Sequence, residues 1–363
     1  MEISENTKLC LQLRCNLNND ENLKPLSNKE FLKLENFLSE NNRSLTRLIE
    51  DKKILFKIEK NLSLQEKRIS SLLNSGVALS FYLDKWSKRG IWVLSSYDDE
   101  YPINYKIKLR DVIKPILFGV GTKEFLNSPS LGIVGPRDSG LSSLKYSEKA
   151  GAKCAENQIS IVTGGARGVD TYAINGALGN GGRVINILTA ELFKESINEK
   201  YKKFTLENNL ILLSTQLPEE GWSIGRAMDR NKYIYALSDG VLVPECKKES
   251  GGTWSGIIEN QKKSYSTLYF RPSNESNIDN KIYEGGAISH TELNLEDLKR
   301  RKIDIDLSKL LVKEIAYLQG KSERAVKGYL TRNSIEVIDY PVRKRTELPD
   351  KNSEEQIQKE FDI

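Results

Sequence analysis

Between residues 129 and 272, short apolar runs alternate with helix-patterned stretches, and that alternation leaves the chain very few folds. Strands are expected at 131–134, 159–163, 184–188, 210–214, 240–243 and 267–270. Helical patterns fill the gaps at 141–156, 169–179, 195–207, 227–237 and 253–263. A chain built this way forms a mostly parallel sheet with helices on both faces, because each crossover must return along one face of the sheet. Ligands of such sheets bind beyond the carboxyl ends of the strands. Two earlier runs, Ile91-Trp-Val-Leu94 and Ile116-Leu-Phe-Gly-Val120, also have strand character and flank a turn at Asp98-Asp-Glu-Tyr-Pro102.

Two strand-to-helix junctions place unusual chemistry at that carboxyl edge. The first is Leu131-Gly-Ile-Val-Gly-Pro-Arg-Asp138 and the second is Ile159-Ser-Ile-Val-Thr-Gly-Gly-Ala-Arg-Gly-Val-Asp170. Each apolar run stops at glycine and puts an arginine where a helix begins. Glycine admits close backbone approach, a helix N-terminus offers free N–H groups, and arginine adds a planar donor fork, so both junctions suit phosphate. Gly135, Arg137, Gly164, Gly165, Arg167 and Gly168 are the expected contacts, with a surface ion pair the alternative for Arg137. Asp138 is assigned to capping, and Asp170 to stabilising a helix start through the dipole. Neither a GxGxxG nor a GxxxxGK[ST] fingerprint is present. Gly181-Gly182 is explained by a tight turn.

Further along, Arg230-Asn-Lys232 lies near the start of a helix that should face the same crevice. Trp222 and Tyr233 are either stacking faces for bases or members of the core. Gly251, Gly252 and Thr253 open the helix after strand 240–243; they fit an anion site, with Thr253 as a plain N-cap the alternative.

Composition narrows the rest. The chain has 363 residues, room for two or three domains, and a net charge of +5 that permits nucleic acid without requiring it. Its one histidine, His290, speaks against histidine catalysis and a histidine-rich metal site; no metal, cofactor or catalytic residue is expected. Four scattered cysteines form no CxxC pair, the opening Met-Glu-Ile-Ser-Glu-Asn has no apolar signal core, and no apolar run suits a bilayer. The expectation is a cytoplasmic protein with reduced thiols that makes no contact with membranes.

The domain boundaries expected are these: helical residues 1–88, an α/β domain at 89–272, a Ser-, Asn- and Gly-rich linker at 273–304, a compact module at 305–345 and a disordered tail at 346–363. In the first, Ser27-Asn-Lys-Glu30 and Ser63-Leu-Gln-Glu66 both have capping-box spacing. In the fourth, residues 314–330 have the pattern of a helix-turn-helix or winged helix, with Ala316 small at the crossing, Gly320 in the turn, Ser322 capping and Val326 inward. Arg324, Lys327 and Arg332 are then candidate phosphate contacts, extended by Arg343-Lys-Arg345; the alternative is a module for protein contacts alone.

In order, these elements resemble the DprA/Smf family of DNA-processing proteins. That family has VGSR, SGxARGxDxxAH, a GG turn, RNxxIxxLS and a later SGS turn. This chain gives Val134-Gly-Pro-Arg137, Thr163-Gly-Gly-Ala-Arg-Gly-Val-Asp-Thr-Tyr-Ala173, Gly181-Gly182, Arg230-Asn-Lys-Tyr-Ile-Tyr-Ala-Leu-Ser238 and Ser250-Gly-Gly-Thr253, over roughly residues 85–270. Departures are Pro136 and Thr163 in place of serines and Ile174 in place of the histidine, which marks a divergent subgroup. The resemblance implies an extended Rossmann-like domain that binds single-stranded DNA without catalysis. It further implies protection of incoming strands, help in loading a RecA-type recombinase during natural transformation, a homodimer, and a DNA groove lined by Arg137, Gly164, Arg167, Arg230, Asn231 and Lys232. The competing reading is a nucleotide-binding enzyme or sensor, with a phosphoribohydrolase-like fold, in defence against foreign DNA. Such enzymes place a glutamate three residues after the threonine, where this chain has Gly256, with Glu259 a turn further on.

Overall fold

The computed structural model describes residues 3–299, except 19, 41–43, 110, 111, 247, 248, 250 and 273–275, together with 312, 315 and 323–332. It divides into two compact units, Met1–Lys299 and Arg300–Ile363.

Among the described residues, the first unit opens with six helices: α1 (Glu5–Arg14), α2 (Asn28–Glu40), α3 (Arg47–Glu50), α4 (Lys52–Leu62), α5 (Glu66–Leu73) and α6 (Gly76–Ser87). The capping box at α2 forms as expected: Glu30 N–H donates to Ser27 Oγ at 3.2 Å and Ser27 N–H to Glu30 Oε2 at 2.7 Å. The second one does not. Ser63 sits in the left-handed region at φ 57° and ends α4, and α5 starts behind Gln65, because only three residues separate the two helices.

Strands interleaved with helices follow: β1 (Trp92–Ser95), α7 (Ile103–Leu109), β2 (Ile116–Val120), β3 (Ser130–Ile133), α8 (Leu141–Glu156), β4 (Ser160–Thr163), α9 (Val169–Gly179) and β5 (Val184–Ile187). Then come α10 (Leu192–Glu195), α11 (Glu199–Leu206), β6 (Leu210–Ser214), α12 (Ile224–Leu237), β7 (Gly240–Val243), α13 (Gly252–Lys263), β8 (Thr267–Phe270), α14 (Ser276–Glu284), β9 (Ile288–Ser289) and α15 (Leu295–Lys299). The helix expected at 195–207 is two, α10 and α11, joined through Asn198, whose side chain caps the second.

The sheet order is β1-β2-β6-β5-β4-β3-β7-β8-β9. All pairs from β6 to β9 are parallel, whereas β1–β2 and β2–β6 are antiparallel. This is the expected α/β sheet covered on both faces. Side chains alternate between two cores, as a period of two requires: Leu131, Ile161, Val184 and Leu210 pack with α8, α9 and the N-terminal helices, and Val162, Ile185, Ile211 and Val241 with α7, α12 and α13. The order reverses at β3, whose neighbours are β4 and β7, so a crevice opens beyond the carboxyl ends of β3 and β7.

Two expected boundaries fall differently. Residues 1–88 are no separate body: α1 is bound to the turn after β1, where Thr7 Oγ1 donates to Asp98 Oδ2 at 2.6 Å and Ser4 Oγ to Oδ1 at 2.8 Å. Trp86, fully buried, stacks edge-on against Phe118 of β2 with centroids 5.2 Å apart. Nor is 276–299 a linker. Its polar composition hides buried Ile282, Leu295 and Leu298, and β9 adds a parallel strand beside β8 with Ile288 opposite Tyr269. In the second unit α16 (Glu323–Arg332) is helical, with Val326 and Leu330 buried. The expected turn with Ala316, Gly320 and Ser322, the basic run Arg343-Lys-Arg345 and the tail 346–363 lie outside the described residues, as do residues 273–275 and 300–304 of the linker.

All four cysteines are free and buried, and no helix among the described residues is long and apolar enough to cross a membrane. One carboxyl in this core titrates near neutrality. Burial pushes Glu35 of α2 up to about 7, against the opposing pull of the Tyr97 hydroxyl, Arg14 and Lys106. The folded state then holds a proton that the unfolded chain, at the usual value of 4.5, releases. This group's contribution is complete below pH 4.5 and is lost as pH rises through 7. Urea unfolding at pH 5 and pH 7.5 should show a larger loss of stability across that window in the wild type than in Glu35→Gln.

Candidate nucleic-acid interface

The first two glycine junctions meet directly. Gly168 adopts φ 86° and ψ −130°, a region closed to residues with a side chain. A Cβ there would lie 2.6 Å from Pro136 O and 2.5 Å from Arg137 O, so the turn after β4 presses on the backbone of the turn after β3. From the other side Gly135 leaves room for Val169, which a Cβ would meet at 2.6 Å. Arg137 and Arg167 are thereby held side by side on the surface. Arg137 is exposed and makes no ion pair among the described residues. Arg167 reaches back to Asp138, Nη2 to Oδ1 3.1 Å, with both side chains more than three-quarters exposed at 79% and 87%. So open a pair contributes less than about 1 kcal/mol and yields readily to another anion.

Beneath these arginines lies a buried polar floor. Arg230, two turns into α12, lays its guanidinium against Gly164, where a Cβ would overlap Nη1, and donates to Ile187 O at 3.2 Å. Asp170 is 5% exposed and accepts from Gly164 N–H at 3.3 Å and Ala166 N–H at 3.2 Å. Burial pushes its carboxyl up, while the charge of Arg230 and the N–H of Ala166 hold it down. Burial likewise pushes Arg230 down, opposed by Asp170, yet a guanidinium stays protonated in any protein. Asp170 thus does more than favour a helix start: it shapes the turn after β4 and faces Arg230.

α12 links this turn to the third junction. Asn231 Nδ2 donates to Gly252 O at 3.2 Å, bringing the start of α13 alongside. There Gly251, at φ 90°, is the N-cap and no side chain caps the helix, so Thr253 is no cap. Gly251 and Gly252 are exposed, leaving backbone N–H groups open at the mouth of the crevice. Across the opening Glu245, just after β7, accepts from Gly140 N–H at 3.2 Å and ties the β3 and β7 loops together.

The structure therefore gathers Gly135, Arg137, Gly164, Gly165, Arg167, Gly168, Arg230, Asn231, Gly251, Gly252 and Thr253 at one edge. Within that group Arg230 is half-buried, its guanidinium set beneath Gly164. Lys232 is held by an ion pair to Asp229, 15% exposed, over the ring of Tyr233. Tyr233 is core, buried edge-on against Tyr105, whereas Trp222 is exposed. In the second unit Arg324 and Arg332 of α16 are exposed and Lys327 is half-buried. Two residues escaped sequence reasoning. Asn186 of β5 is fully buried beneath Gly165, where a Cβ would lie 2.6 Å from its amide; a lone amide in the apolar run Val-Ile-Asn-Ile was its signal. Lys114, just before β2, is half-buried near Asp229, Arg226 and Lys232, and burial pushes it down; nothing local in the sequence marks it.

A reversal in strand order, with glycine turns and exposed arginines at the carboxyl edge, defines a doubly wound α/β protein with an open crevice at the switch point. Within that class the chain belongs to the DNA recombination-mediator protein A family, whose model matches residues 92–281. It is 33% identical over 138 residues to the DNA processing protein DprA of Streptococcus pneumoniae (strain ATCC BAA-255 / R6), a match covering 38% of this chain and 48% of that relative. The aligned region thus spans about half of the relative's length. The crystal structure of DprA from Streptococcus pneumoniae superposes with a TM-score of 0.60 at 23% identity, over 80% of this chain and 97% of that one, which establishes the shared fold. DNA processing protein A of Helicobacter pylori, a structure described for its single-stranded DNA binding mode, gives 0.45 at 24% identity over 58% and 94%.

The contact at Gly168 can be tested alone. Gly168→Ala forces a Cβ into two carbonyl oxygens at a backbone geometry reserved for glycine, and should cost about 1–3 kcal/mol in urea unfolding.

Proposed function

We propose that this protein binds single-stranded DNA along the carboxyl edge of its sheet, without catalysis, and hands the strand on. The observation that carries this reading is the pairing of two exposed arginines, Arg137 and Arg167, on adjoining glycine turns beside the open start of α13. Single-strand binding without sequence readout calls for such an array: cations and backbone N–H groups along phosphates. Family membership supports the wider role, in which the bound strand is protected and a RecA-type recombinase is loaded by a cytoplasmic homodimer. The exposed Arg324 and Arg332 of α16 supply a second DNA contact.

The non-catalytic part of the reading rests on the start of α13. Position 256, where a phosphoribohydrolase-like enzyme has its glutamate, is a glycine packed on the Tyr235 ring, which a Cβ would meet at 2.9 Å. Glu259, a turn further on, accepts from the Tyr265 hydroxyl at 3.2 Å.

Fluorescence anisotropy of labelled oligo-dT against matched duplex, titrated with salt, tests the proposal. The wild type should prefer the single strand. Arg137→Ala with Arg167→Ala should weaken it by about tenfold or more and flatten the slope of log K on log salt by roughly 0.7 for each phosphate no longer neutralised. Absence of binding at low salt, or binding indifferent to the double substitution, would remove the groove from consideration.

A further inference from the structure

Eleven large apolar side chains are exposed among the described residues, and three of them fall within seven positions of the chain: Trp222 at 56%, Ile224 at 68% and Met228 at 54%. They occupy the loop after β6 and the first two turns of α12, at the carboxyl edge that also carries the glycine turns. Ile224 and Met228 are four residues apart and share a face of the helix. Trp222 makes no hydrogen bond or ring contact among the described residues, yet its backbone is firmly held. Ser223 Oγ caps α12 by accepting from Arg226 N–H at 3.2 Å, Arg226 Nη1 donates to Gly221 O at 2.7 Å, and Glu191 N–H donates to Glu220 O at 2.8 Å. The indole is therefore presented on a well-anchored loop with more than half of its surface open.

Exposed apolar groups mark a binding surface, and the charges nearby indicate what binds. On the near side the charges are balanced, Arg226 pairing with Glu220 and Lys114 lying near Asp229, so the unbalanced positive charge is on the crevice side. Toward the crevice Arg230 connects α12 to the turn after β4, and the exposed Arg137 and Arg167 follow. From β6 to β3 is three strand spacings, roughly 14 Å at about 4.8 Å each, the reach of a few nucleotides. An apolar ledge beside cations complements a polyanion whose own apolar faces are open. Unpaired nucleobases fit that description; a duplex, with its bases stacked away, does not.

We infer that Trp222, backed by Ile224 and Met228, is the base-stacking platform that makes the groove selective for unpaired strands, while the arginines hold phosphates. The inference rests on the single-strand reading above and adds the residue that gives it selectivity. Stacking on an aromatic ring contributes about 1–3 kcal/mol per base and takes any base, which corresponds to a roughly 5- to 150-fold effect on affinity.

The test compares wild type, Trp222→Ala and Trp222→Phe for binding to oligo-dT and to an abasic oligonucleotide of the same length and charge, across a salt series. Trp222→Ala should weaken oligo-dT binding by roughly 5-fold or more with its salt slope unchanged, bind the abasic strand as the wild type does, and lose preference over duplex. Trp222→Phe should restore most of the affinity. If Trp222→Ala binds oligo-dT as tightly as the wild type, or weakens both strands alike, the platform is overturned while the groove stands. If the wild type binds neither strand at low salt, platform and groove fall together.

Discussion

The crevice depends on one buried contact, the guanidinium of Arg230 lying under Gly164 and facing Asp170. Residue 164 has to be glycine for that guanidinium to fit, and Asp170 has to be buried for its carboxylate to gather the N–H groups of Gly164 and Ala166. Remove the arginine and the carboxylate keeps its two N–H partners but loses the nearby positive charge; remove the carboxylate and the turn loses its organiser. The two charges act on each other through the field rather than through a direct hydrogen bond, the arginine holding the buried carboxyl down against its burial. Arg230 is thus a poor probe of DNA contact, since its loss disturbs the turn before it touches any ligand. The exposed arginines are the informative positions.

From that floor the surface follows. The turn after β4 is fixed, and Gly168 transmits its position to the turn after β3 through backbone contact alone. Arg137 and Arg167 end up adjacent although the chain separates them by a whole helix, α8. Asn231 extends the same helix to the start of α13, and Glu245 closes the β3 and β7 loops over the crevice. A parallel sheet makes this economical, because every strand delivers its following loop to the same edge. The loop after β6 is part of that series, which is why Trp222 shares an edge with residues far from it in sequence.

Much of this was legible in the residues themselves. Strand and helix positions in the α/β region follow from periodicity, and β7, β8, α8 and α9 lie where the alternation puts them. The glycine-arginine junctions pointed to the edge only through their position at strand ends, since either turn alone is common to many sites. What stayed hidden was non-local. Ser63 carries the spacing of a capping box yet ends the preceding helix, since a short connection decided its backbone. Residues 276–299 read as a linker because their few apolar positions, Ile282, Leu295 and Leu298, are too sparse for a periodic signal and find their partners only in the assembled unit. Lys232 was expected in the groove and Tyr233 was open between stacking face and core; the phase of α12 ties the lysine to Asp229 and turns the tyrosine into the core. For Trp222 the sequence left surface and core equally open, and only the fold separates them.

The proposed binding of single-stranded DNA is a statement of place, the carboxyl edge of the sheet. Photo-crosslinking with an oligonucleotide carrying iodouracil, followed by mass spectrometry of the adducts, reads that location directly. Adducts concentrated in residues 135–141, 164–168 and 222–232 are predicted. Adducts confined to the amino edge of the sheet or to the N-terminal helices would contradict it.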